Sequence, residues 1–253
     1  MDSAWYSAVL VVYAVVGAAT LLATSRMPAP YGRHLPDPGA FGPTLPARIG
    51  WILMELPAPL CFSLSFLLGD HAGEATPRLL LALWLVHYLP RTLVYPLLLR
   101  YPKAPMPLVI VALGAAFNLF NGGLNGWSVA HVLDYPPAAL FAVPLHAGVA
   151  LFLVGFGINQ HADAVLRALR KPGETGYKIP YGGLYAWVSC PNYLGELLTW
   201  LGFALAAWSP AGLLFALYTF ANLGPRALSH HRWYQQRFPD YPPERRALIP
   251  GLW

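Results

Sequence analysis

The sequence has little charge for its length. Only 11% of its 253 residues are Asp, Glu, Lys or Arg, whereas hydrophobic residues make up 57%. A soluble domain carries roughly 25% charged residues, so this chain lacks the charge that solvates an ordinary protein surface. Aromatic residues reach 14% and include nine Trp, a residue type that is enriched at membrane–water interfaces. The composition therefore excludes a soluble globular domain and predicts an all-α, polytopic integral membrane protein.

Cysteine is also scarce. Cys61 and Cys190 lie in apolar surroundings and match neither a metal-ligand spacing nor a disulfide framework, so we expect two free thiols and no metal site. The formal net charge of +5 could suggest a nucleic-acid partner. In a membrane protein it is explained by the preference of Lys and Arg for cytoplasmic loops, so we expect no nucleic acid.

Apolar runs long enough to cross a bilayer, which takes about 20 residues, recur along the chain. The predicted spans are 5–25, 49–69, 77–99, 106–122, 143–165, 192–208 and 210–228. The first has Arg26 after it and no basic residue before it, the reverse of a cleavable signal peptide, so we expect this span to be retained. The sequence therefore predicts a single membrane-embedded domain, 1–253, with seven transmembrane helices.

The basic residues lie almost entirely on one side of these seven spans. Of the 16 Lys and Arg residues, 14 lie in loops or near span ends on one side; Arg78 lies at the start of the third span on the other side, and Arg91 lies inside that span. Because Lys and Arg concentrate in cytoplasmic loops, we expect a cytoplasmic C-terminus and an external or lumenal N-terminus. The membrane would be a bacterial inner membrane or the endoplasmic reticulum.

The fourth predicted span runs into an unusual segment rich in Gly and Asn, 117–137. Such a segment would be out of place facing lipid, and irregular backbone at membrane depth is tolerated only where protein or a cavity covers it. We therefore expect this segment to be covered and the helix to end near residue 122.

Three groups of polar residues recur at helical spacing near the predicted cytoplasmic side. Members four residues apart share one face of a helix. The groups are Asn159 with Asp163, continued by Arg167 and Arg170; Asn192 with Glu196; and Arg226 with His230 and Tyr234. Ionisable groups in a bilayer usually mark a site, although interhelical hydrogen bonding is the plain alternative. Arginines at the mouth with amides deeper suit a nicotinamide dinucleotide, whose phosphates are charged and whose head is uncharged.

A nearby glycine pair gives this dinucleotide interpretation no support. Gly155 and Gly157 lie inside a predicted span and not after a strand, so they fail the context that a Rossmann fingerprint requires. Any dinucleotide site here would therefore be built from helices and loops.

A second polar constellation lies in the second and third predicted spans. Glu55 is in the second span. Tyr88, Arg91 and Tyr95 share a face of the third, where Pro90 predicts a kink. A lone carboxyl facing an apolar cavity can donate a hydrogen bond, and a Tyr beside it is a second neutral donor. Two such donors on a ketone oxygen would stabilise the negative charge that conjugate hydride addition develops there, whereas the plain alternative is a structural hydrogen bond.

Motifs of one enzyme family cover the last hundred residues densely. The segments are 157–163 (Gly-Ile-Asn-Gln-His-Ala-Asp), 166–174, 177–184, 188–196 (Val-Ser-Cys-Pro-Asn-Tyr-Leu-Gly-Glu), 226–234, 238–242 and 245–250. The N-terminal half adds Glu55-Leu56-Pro57 and the run His87-Tyr88, Arg91-Thr92, Val94-Tyr95. Together these segments resemble the steroid 5α-reductase family, as a bacterial-type homologue.

The resemblance implies an enzyme that reduces the Δ4 double bond of a 3-oxo-Δ4 steroid with NADPH, by hydride transfer to carbon 5. It implies that Glu55 and Tyr88 bind the 3-keto oxygen. It implies NADPH contacts for Asn159, Asp163, Arg170, Tyr177, Asn192, Glu196, Arg226, His230 and Tyr234, and further for Arg91, Tyr95 and Arg100. The substrate pocket would come from 1–105 and the cofactor site from 143–253, in a monomer that takes its lipophilic enone from membrane lipid.

Three alternatives stay open at this point. Cys190-Pro191 replaces the small pair common in vertebrate steroid reductases, and Cys-Pro before Asn-Tyr is frequent in related polyprenol and enoyl-thioester reductases. The more distant isoprenylcysteine methyltransferases, which use S-adenosylmethionine, share the C-terminal Arg and Tyr pattern. A non-enzymatic sterol-binding membrane protein would explain an apolar pocket but not arginines aligned for phosphates.

Overall fold

Helices make up almost all of the regular structure in the described part of this chain. The computed structural model describes residues 3–27, 41–101, 103–169, 174 and 176–253. The helices are α1 Ser3–Arg26, α2 Ala47–Glu55, α3 Pro57–Leu67, α4 Ala75–Leu89, α5 Tyr95–Leu97, α6 Leu108–Trp127, α7 Val143–Ala168, α8 Pro191–Ala207 and α9 Pro210–Arg237. Strands among the described residues are limited to β1 Thr44–Pro46 and β2 Pro105–Pro107, which pair antiparallel. The all-α prediction is confirmed.

Five helical stretches in the described part of the chain are long and apolar enough to cross a membrane. They are Ala4–Arg26, Ala47–Leu67, Ala75–Leu97, Leu108–Val132 and Val143–Ala168. They correspond to the first five predicted spans, although the fourth extends well beyond its predicted end. The last two predicted spans fall on α8, which has only 17 residues, and on α9, whose 28 residues continue into a basic end at Arg237. The protein is thus a multi-pass helical membrane protein, and the count of seven spans stays a prediction.

The third span changes its helical geometry at Pro90. Proline has no N–H to donate and its ring crowds the preceding turn, so it interrupts the regular α-helical hydrogen bonds. Here a π-helical turn, Pro90–Val94, separates α4 from α5. The predicted kink at Pro90 therefore takes the form of a wider turn, and this turn carries Arg91.

The helix α6 is longer than predicted. It continues through the segment rich in Gly and Asn to Trp127 and then into a π-helical turn, Ser128–Val132, so the predicted end near residue 122 is wrong. The reason is close packing against α3. A Cβ on Gly122 would lie 2.5 Å from the Ala58 carbonyl oxygen, and one on Gly126 would lie 2.8 Å from the Phe62 Cα. Only glycine allows this approach, and the Gly- and Asn-rich part of the segment, 121–130, is buried or half-buried.

The chain divides into two compact units. The C-terminal unit comprises Met1–Ala29, Ala150–Ala204 and Gly212–Trp253, and the N-terminal unit comprises Pro30–Val149 and Leu205–Ala211. Within the C-terminal unit, α1 packs on α9, where the Thr24 hydroxyl donates to the Ala221 carbonyl at 2.7 Å. The first span therefore belongs with the C-terminal helices, although it comes first in sequence.

Candidate active site

Glu55 ends α2 with its carboxyl almost fully buried, at 4% exposure. Its Oε1 accepts a hydrogen bond from Arg91 Nε at 3.0 Å, and its Oε2 accepts one from Asn118 Nδ2 at 3.3 Å. A carboxyl with a donor on each oxygen has the arrangement of an ionised carboxylate, which only accepts. The prediction of a lone carboxyl is therefore wrong, because the π-helical turn presents Arg91 to α2 from a helix distant in sequence.

Tyr88 lies near the end of α4 and is also buried. Its hydroxyl is 3.5 Å from Asn118 Oδ1, at the outer limit of a hydrogen bond in which Tyr88 donates. The ring packs against Trp84, with the centroids 4.9 Å apart, and this contact limits its rotation. Glu55 and Tyr88, the predicted pair, are thus brought together through the two ends of one amide.

That amide, Asn118, was missed by sequence reasoning. It lies on α6 at 7% exposure, and its Nδ2 also donates to the Met54 carbonyl at 2.8 Å. The available signal was a polar amide inside an otherwise apolar helix, because a buried polar group must find partners. The sequence gives no indication of which neighbouring helix supplies those partners.

Trp51 and Tyr95 flank the Glu55–Arg91 ion pair. The guanidinium carbon of Arg91 lies 5.3 Å from the centroid of the Trp51 ring, and the Trp51 and Tyr95 rings meet edge to face at 5.1 Å. Arg91 is therefore held between a carboxylate and an aromatic face. Arg100 is exposed. The implied cofactor contacts of Arg91, Tyr95 and Arg100 stay predictions.

The first two polar groups meet within the C-terminal unit. Asn159 Nδ2 donates to Glu196 Oε2 and to the Asn192 carbonyl, both at 3.0 Å. Asn192 Nδ2 donates to Asp163 Oδ1 at 3.3 Å. The second carboxylate oxygen of Glu196 accepts from Trp200 Nε1 at 2.9 Å. One network between α7 and α8 therefore joins Asn159, Asp163, Asn192 and Glu196.

Small residues allow α7 and α8 to approach closely enough for this network. A Cβ on Gly195 would lie 2.4 Å from the Asn159 backbone nitrogen, and one on Gly155 would lie 2.4 Å from the Thr199 backbone nitrogen. Such contacts between small residues are typical of helix packing in membranes. Gly155 therefore allows the close contact between α7 and α8. This agrees with the expectation that Gly155 and Gly157 do not form a Rossmann fingerprint.

The third polar group reaches α8 through Tyr193. Arg226 is 8% exposed; its Nη1 donates to Asn222 Oδ1 at 3.3 Å, and its guanidinium lies over the Tyr193 ring at 5.9 Å. His230 Nε2 is 3.1 Å from the Tyr193 hydroxyl. Because Tyr193 follows Asn192 directly, the α9 residues lie beside the α7–α8 network.

Tyr234 and Tyr177 belong to an aromatic cluster at the end of α9. The ring of Tyr234 stacks on Tyr241, with the centroids 5.3 Å apart and the planes at 9°. Tyr177 meets Trp233 edge to face at 5.0 Å, and Trp233 contacts Tyr234 at 5.4 Å. The remaining predicted cofactor residue, Arg170, lies outside the described residues.

A polar cluster around Ser189, which sequence reasoning also missed, lies next to these residues. Ser189 Oγ is 2.6 Å from both His231 Nδ1 and the Tyr241 hydroxyl. Burial lowers the pKa of His231, and the positive charges of Arg246 and Arg232 lower it further. Burial also raises the pKa of Tyr241. Both groups therefore favour their neutral forms in this cluster.

The C-terminal segment is fastened over the start of α8. Its backbone pairs with the segment before that helix, where the Ser189 N–H donates to the Arg246 carbonyl at 2.8 Å. Arg245 is 2% exposed, donates from Nη1 to the Pro180 carbonyl at 3.0 Å, and lies against the rings of Tyr181 and Tyr241. This segment therefore fixes the surroundings of Tyr234.

Metal ligands do not cluster in the described ranges, where no group of three or more His, Cys, Asp and Glu side chains could hold an ion. Cys61 is partly buried and Cys190 is buried, and neither of them forms a disulfide.

Comparison with known proteins identifies the family. The family model described as 3-oxo-5-alpha-steroid 4-dehydrogenase matches residues 104–253. The chain is 44% identical to 3-oxo-5-alpha-steroid 4-dehydrogenase 1 of Macaca fascicularis over 94% of this chain and 90% of the relative. It is 46% identical to the Bos taurus form 1, over 88% of each chain. It is 41% identical to form 2 of Homo sapiens, over 94% of this chain and 96% of the relative.

These matches confirm the resemblance drawn from the motifs, and they extend it over most of the N-terminal half. The polar groups described above fall inside the matched regions. The chain therefore belongs to the 3-oxo-5-alpha-steroid 4-dehydrogenase family, whose members are membrane-associated oxidoreductases of steroid metabolism that act on a CH–CH bond.

Proposed function

We propose that this enzyme reduces the Δ4 double bond of a 3-oxo-Δ4 steroid, with NADPH as the cofactor, with Tyr88 polarising the 3-keto oxygen and with Glu55 holding the groups around Tyr88 in place. The names of relatives at 41–46% identity over most of the chain support the substrate class. One observation carries the assignment of residues. A buried phenol and a buried carboxylate converge on one amide in a membrane-embedded unit, where a lipophilic ketone can be desolvated.

The reaction adds a hydride to carbon 5 of the enone and a proton to carbon 4. When bound, NADPH supplies the hydride. As the new bond to carbon 5 forms, the electron pair of the double bond moves towards carbon 3, so negative charge develops on the ketone oxygen. A donor positioned at that oxygen lowers the barrier, and loss of one such donor typically slows an enzyme by roughly 10²–10³. Tyr88, with an O–H and a rigidly packed ring, is the donor that we propose.

The contacts support different parts for Tyr88 and Glu55. The 3.5 Å contact of Tyr88 with Asn118 is long, so the O–H can turn to a ketone oxygen that offers a shorter bond. Glu55 already accepts bonds on both oxygens. We propose that it acts as an ionised carboxylate that holds Asn118 and Arg91 in place, and not as a second neutral donor.

The polar residues of the C-terminal unit fit a nicotinamide dinucleotide. A buried guanidinium such as Arg226 suits a phosphate, because it offers several charge-assisted N–H groups. The α7–α8 network offers both amide donors and carboxylate acceptors, the groups that a carboxamide requires. We propose that the cofactor is held by Asn159, Asp163, Arg170, Tyr177, Asn192, Glu196, Arg226, His230 and Tyr234.

The packing of Cys190 argues against reassigning the substrate class. Cys190 is 4% exposed and belongs to a hydrophobic core with Leu197, Ala227, Ala247 and Leu248. A residue in that position fills the interior of the C-terminal unit. Cys190, the first residue of the Cys-Pro pair that suggested a polyprenol or an enoyl thioester as the substrate, is thus explained by packing.

We also propose seven spans with the N-terminus external or lumenal and the C-terminus cytoplasmic. The apolar length of α8 and of the first half of α9 supports the two additional spans, as does the distribution of Lys and Arg. Reporters fused to the two ends should report opposite sides of the membrane. The same side for both ends would exclude an odd number of spans.

The proposed function is tested with the purified full chain in detergent. NADPH is supplied with a 3-oxo-Δ4 steroid, an enoyl thioester or a polyprenol, and S-adenosylmethionine is offered in a separate reaction. We expect NADPH consumption with the steroid, matched by formation of the 4,5-saturated ketone. Consumption with only one of the other substrates would refute the substrate class, and methyl transfer without NADPH consumption would refute the reduction itself.

A further inference from the structure

The orientation of the Asn118 side chain is determined by its neighbours. Its Nδ2 faces the Met54 carbonyl at 2.8 Å and the Glu55 carboxylate at 3.3 Å, and both of these groups only accept hydrogen bonds. Rotating the amide by half a turn would place its oxygen against two other oxygens. With Nδ2 committed in this way, Oδ1 must face Tyr88. At 7% exposure, the amide has little water to turn to instead.

This orientation decides how Tyr88 uses its hydroxyl. A phenol can donate or accept, but against a carbonyl-type oxygen it can only donate. The contact therefore sets the Tyr88 hydroxyl as a donor before any ketone arrives. At 3.5 Å the contact is weak enough to be exchanged for a shorter bond.

We propose that Asn118 is a positioning residue for the reduction, which links the Glu55 carboxylate to Tyr88 and holds the Tyr88 hydroxyl in place until its O–H turns to the ketone oxygen. The inference rests on the proposed function, because it assigns Asn118 a part in that reaction. Asn118 acts through Tyr88, so its contribution must disappear when the Tyr88 hydroxyl is absent.

The same helix offers a matched control. Asn125 also lies on α6 and is 1% exposed, but its Nδ2 donates to the Asn121 side chain and carbonyl, at 2.9 and 3.1 Å. Asn118→Leu and Asn125→Leu therefore remove the same amide from the same helix. Only the first touches Glu55 and Tyr88.

The test is a double-mutant cycle on the purified full chain, with the parent, Asn118→Leu, Tyr88→Phe and the double variant. The readouts are kcat and KM for NADPH-dependent reduction of a 3-oxo-Δ4 steroid. The kcat is calculated per folded molecule, and the folded state of each variant is checked by thermal unfolding. We expect Asn118→Leu to lower kcat by roughly 10–100-fold, as misplacement of a reacting group does, with KM changed less than about threefold. In the Tyr88→Phe background the same change should lower kcat less than about threefold. Asn125→Leu should keep kcat within about threefold of the parent.

A second variant tests the direction of the hydrogen bonds. Asn118→Asp places a carboxyl against Glu55, with Tyr88 and Arg91 as the other titratable or charged groups at the site. Two adjacent carboxylates repel, and neither can donate until one of them takes up a proton. The kcat of this variant should therefore rise as the pH falls, at pH values where the kcat of the parent does not rise.

The outcomes separate this inference from the proposed function. An equal loss from Asn118→Leu with and without the Tyr88 hydroxyl would overturn the positioning role, and so would lower stability with unchanged kcat per folded molecule. A flat pH profile for Asn118→Asp would also overturn it. A parent that consumes no NADPH with any enone would refute the proposed function, and this role with it.

Discussion

Replacing Glu55 by Gln separates two descriptions of this residue. Gln keeps the shape of Glu and can donate a hydrogen bond, but it lacks the negative charge that Arg91 and Asn118 contact at 3.0 and 3.3 Å. A neutral donor would be replaced well by Gln. An ionised acceptor would not be replaced well by Gln. The Gln amide has only one oxygen, so its N–H groups would have to face either Arg91 or Asn118, both of which are donors. We expect Glu55→Gln to lose nearly as much activity as Glu55→Ala.

The expected loss of stability follows from the burial of Glu55, Arg91 and Asn118. Removing one partner of a fully buried ion pair costs about 3–5 kcal/mol in stability. The Arg91 side chain is 27% exposed, so we expect roughly 2–3 kcal/mol here, after discounting for solvent screening. In the reaction, Tyr88→Phe removes a buried donor and should lower kcat by about 10²–10³, and Glu55→Gln should lower it on the order of 10². Their effects should combine less than additively, because Glu55 acts on the reaction through Asn118 and Tyr88.

The assay is steady-state NADPH consumption with a 3-oxo-Δ4 steroid, divided by the folded fraction of each variant. NADPH affinity, measured by fluorescence titration, should stay at the parent value, because neither Glu55 nor Tyr88 is among the proposed cofactor contacts. Parent-level kcat in Glu55→Gln would refute the ionised-acceptor description. A double variant Glu55→Ala with Tyr88→Phe that is no slower than the parent would remove the mechanism.

Three further predictions concern the C-terminal unit. Arg226→Ala should weaken NADPH binding about tenfold or more, because a charge-assisted phosphate contact contributes roughly 1.5–3 kcal/mol, whereas Arg78→Ala should leave the titration unchanged. Gly195→Ala should lower the free energy of unfolding by roughly 1–3 kcal/mol, because its Cβ would meet backbone atoms at 2.4 and 2.6 Å. Gly157→Ala is the control, because a Cβ there meets nothing within 4 Å, and it should be neutral or stabilising in the same denaturation experiment. Burial lowers the pKa of His231, so the unfolded state takes up the proton first as the pH falls, and stability should decrease below about pH 6.5. In melting experiments between about pH 7 and pH 5, His231→Asn should flatten that decrease, and an unchanged pH dependence would assign it to other groups.

Much of the C-terminal site could be predicted because its residues repeat at helical spacing. Asn159 with Asp163 and Asn192 with Glu196 each share a helix face as a consequence of local geometry, and the network in the structure joins all four. Ser189 escaped prediction. Its partners His231 and Tyr241 come from a different helix and from the C-terminal segment, so no local spacing links them.

The N-terminal site shows where prediction from spacing stopped. Glu55, Tyr88 and Arg91 could each be singled out, because an ionisable or polar residue in an apolar span is conspicuous. Their partnership could not be predicted. The carboxyl expected to be alone is paired with Arg91, and Asn118 joins it to Tyr88 from a third helix.

The sequence by itself determined that the chain is a helical membrane protein of a recognisable reductase family, because composition, the length of apolar runs and short motifs are properties of the chain alone. Only the tertiary structure decided which side chains meet. Glycines at 122 and 126 bring α6 against α3, and that contact, together with the π-helical turn after α4, surrounds Glu55 with its partners. Such contacts depend on how helices distant in sequence pack against each other, and that packing cannot be predicted from helical spacing or composition within one segment.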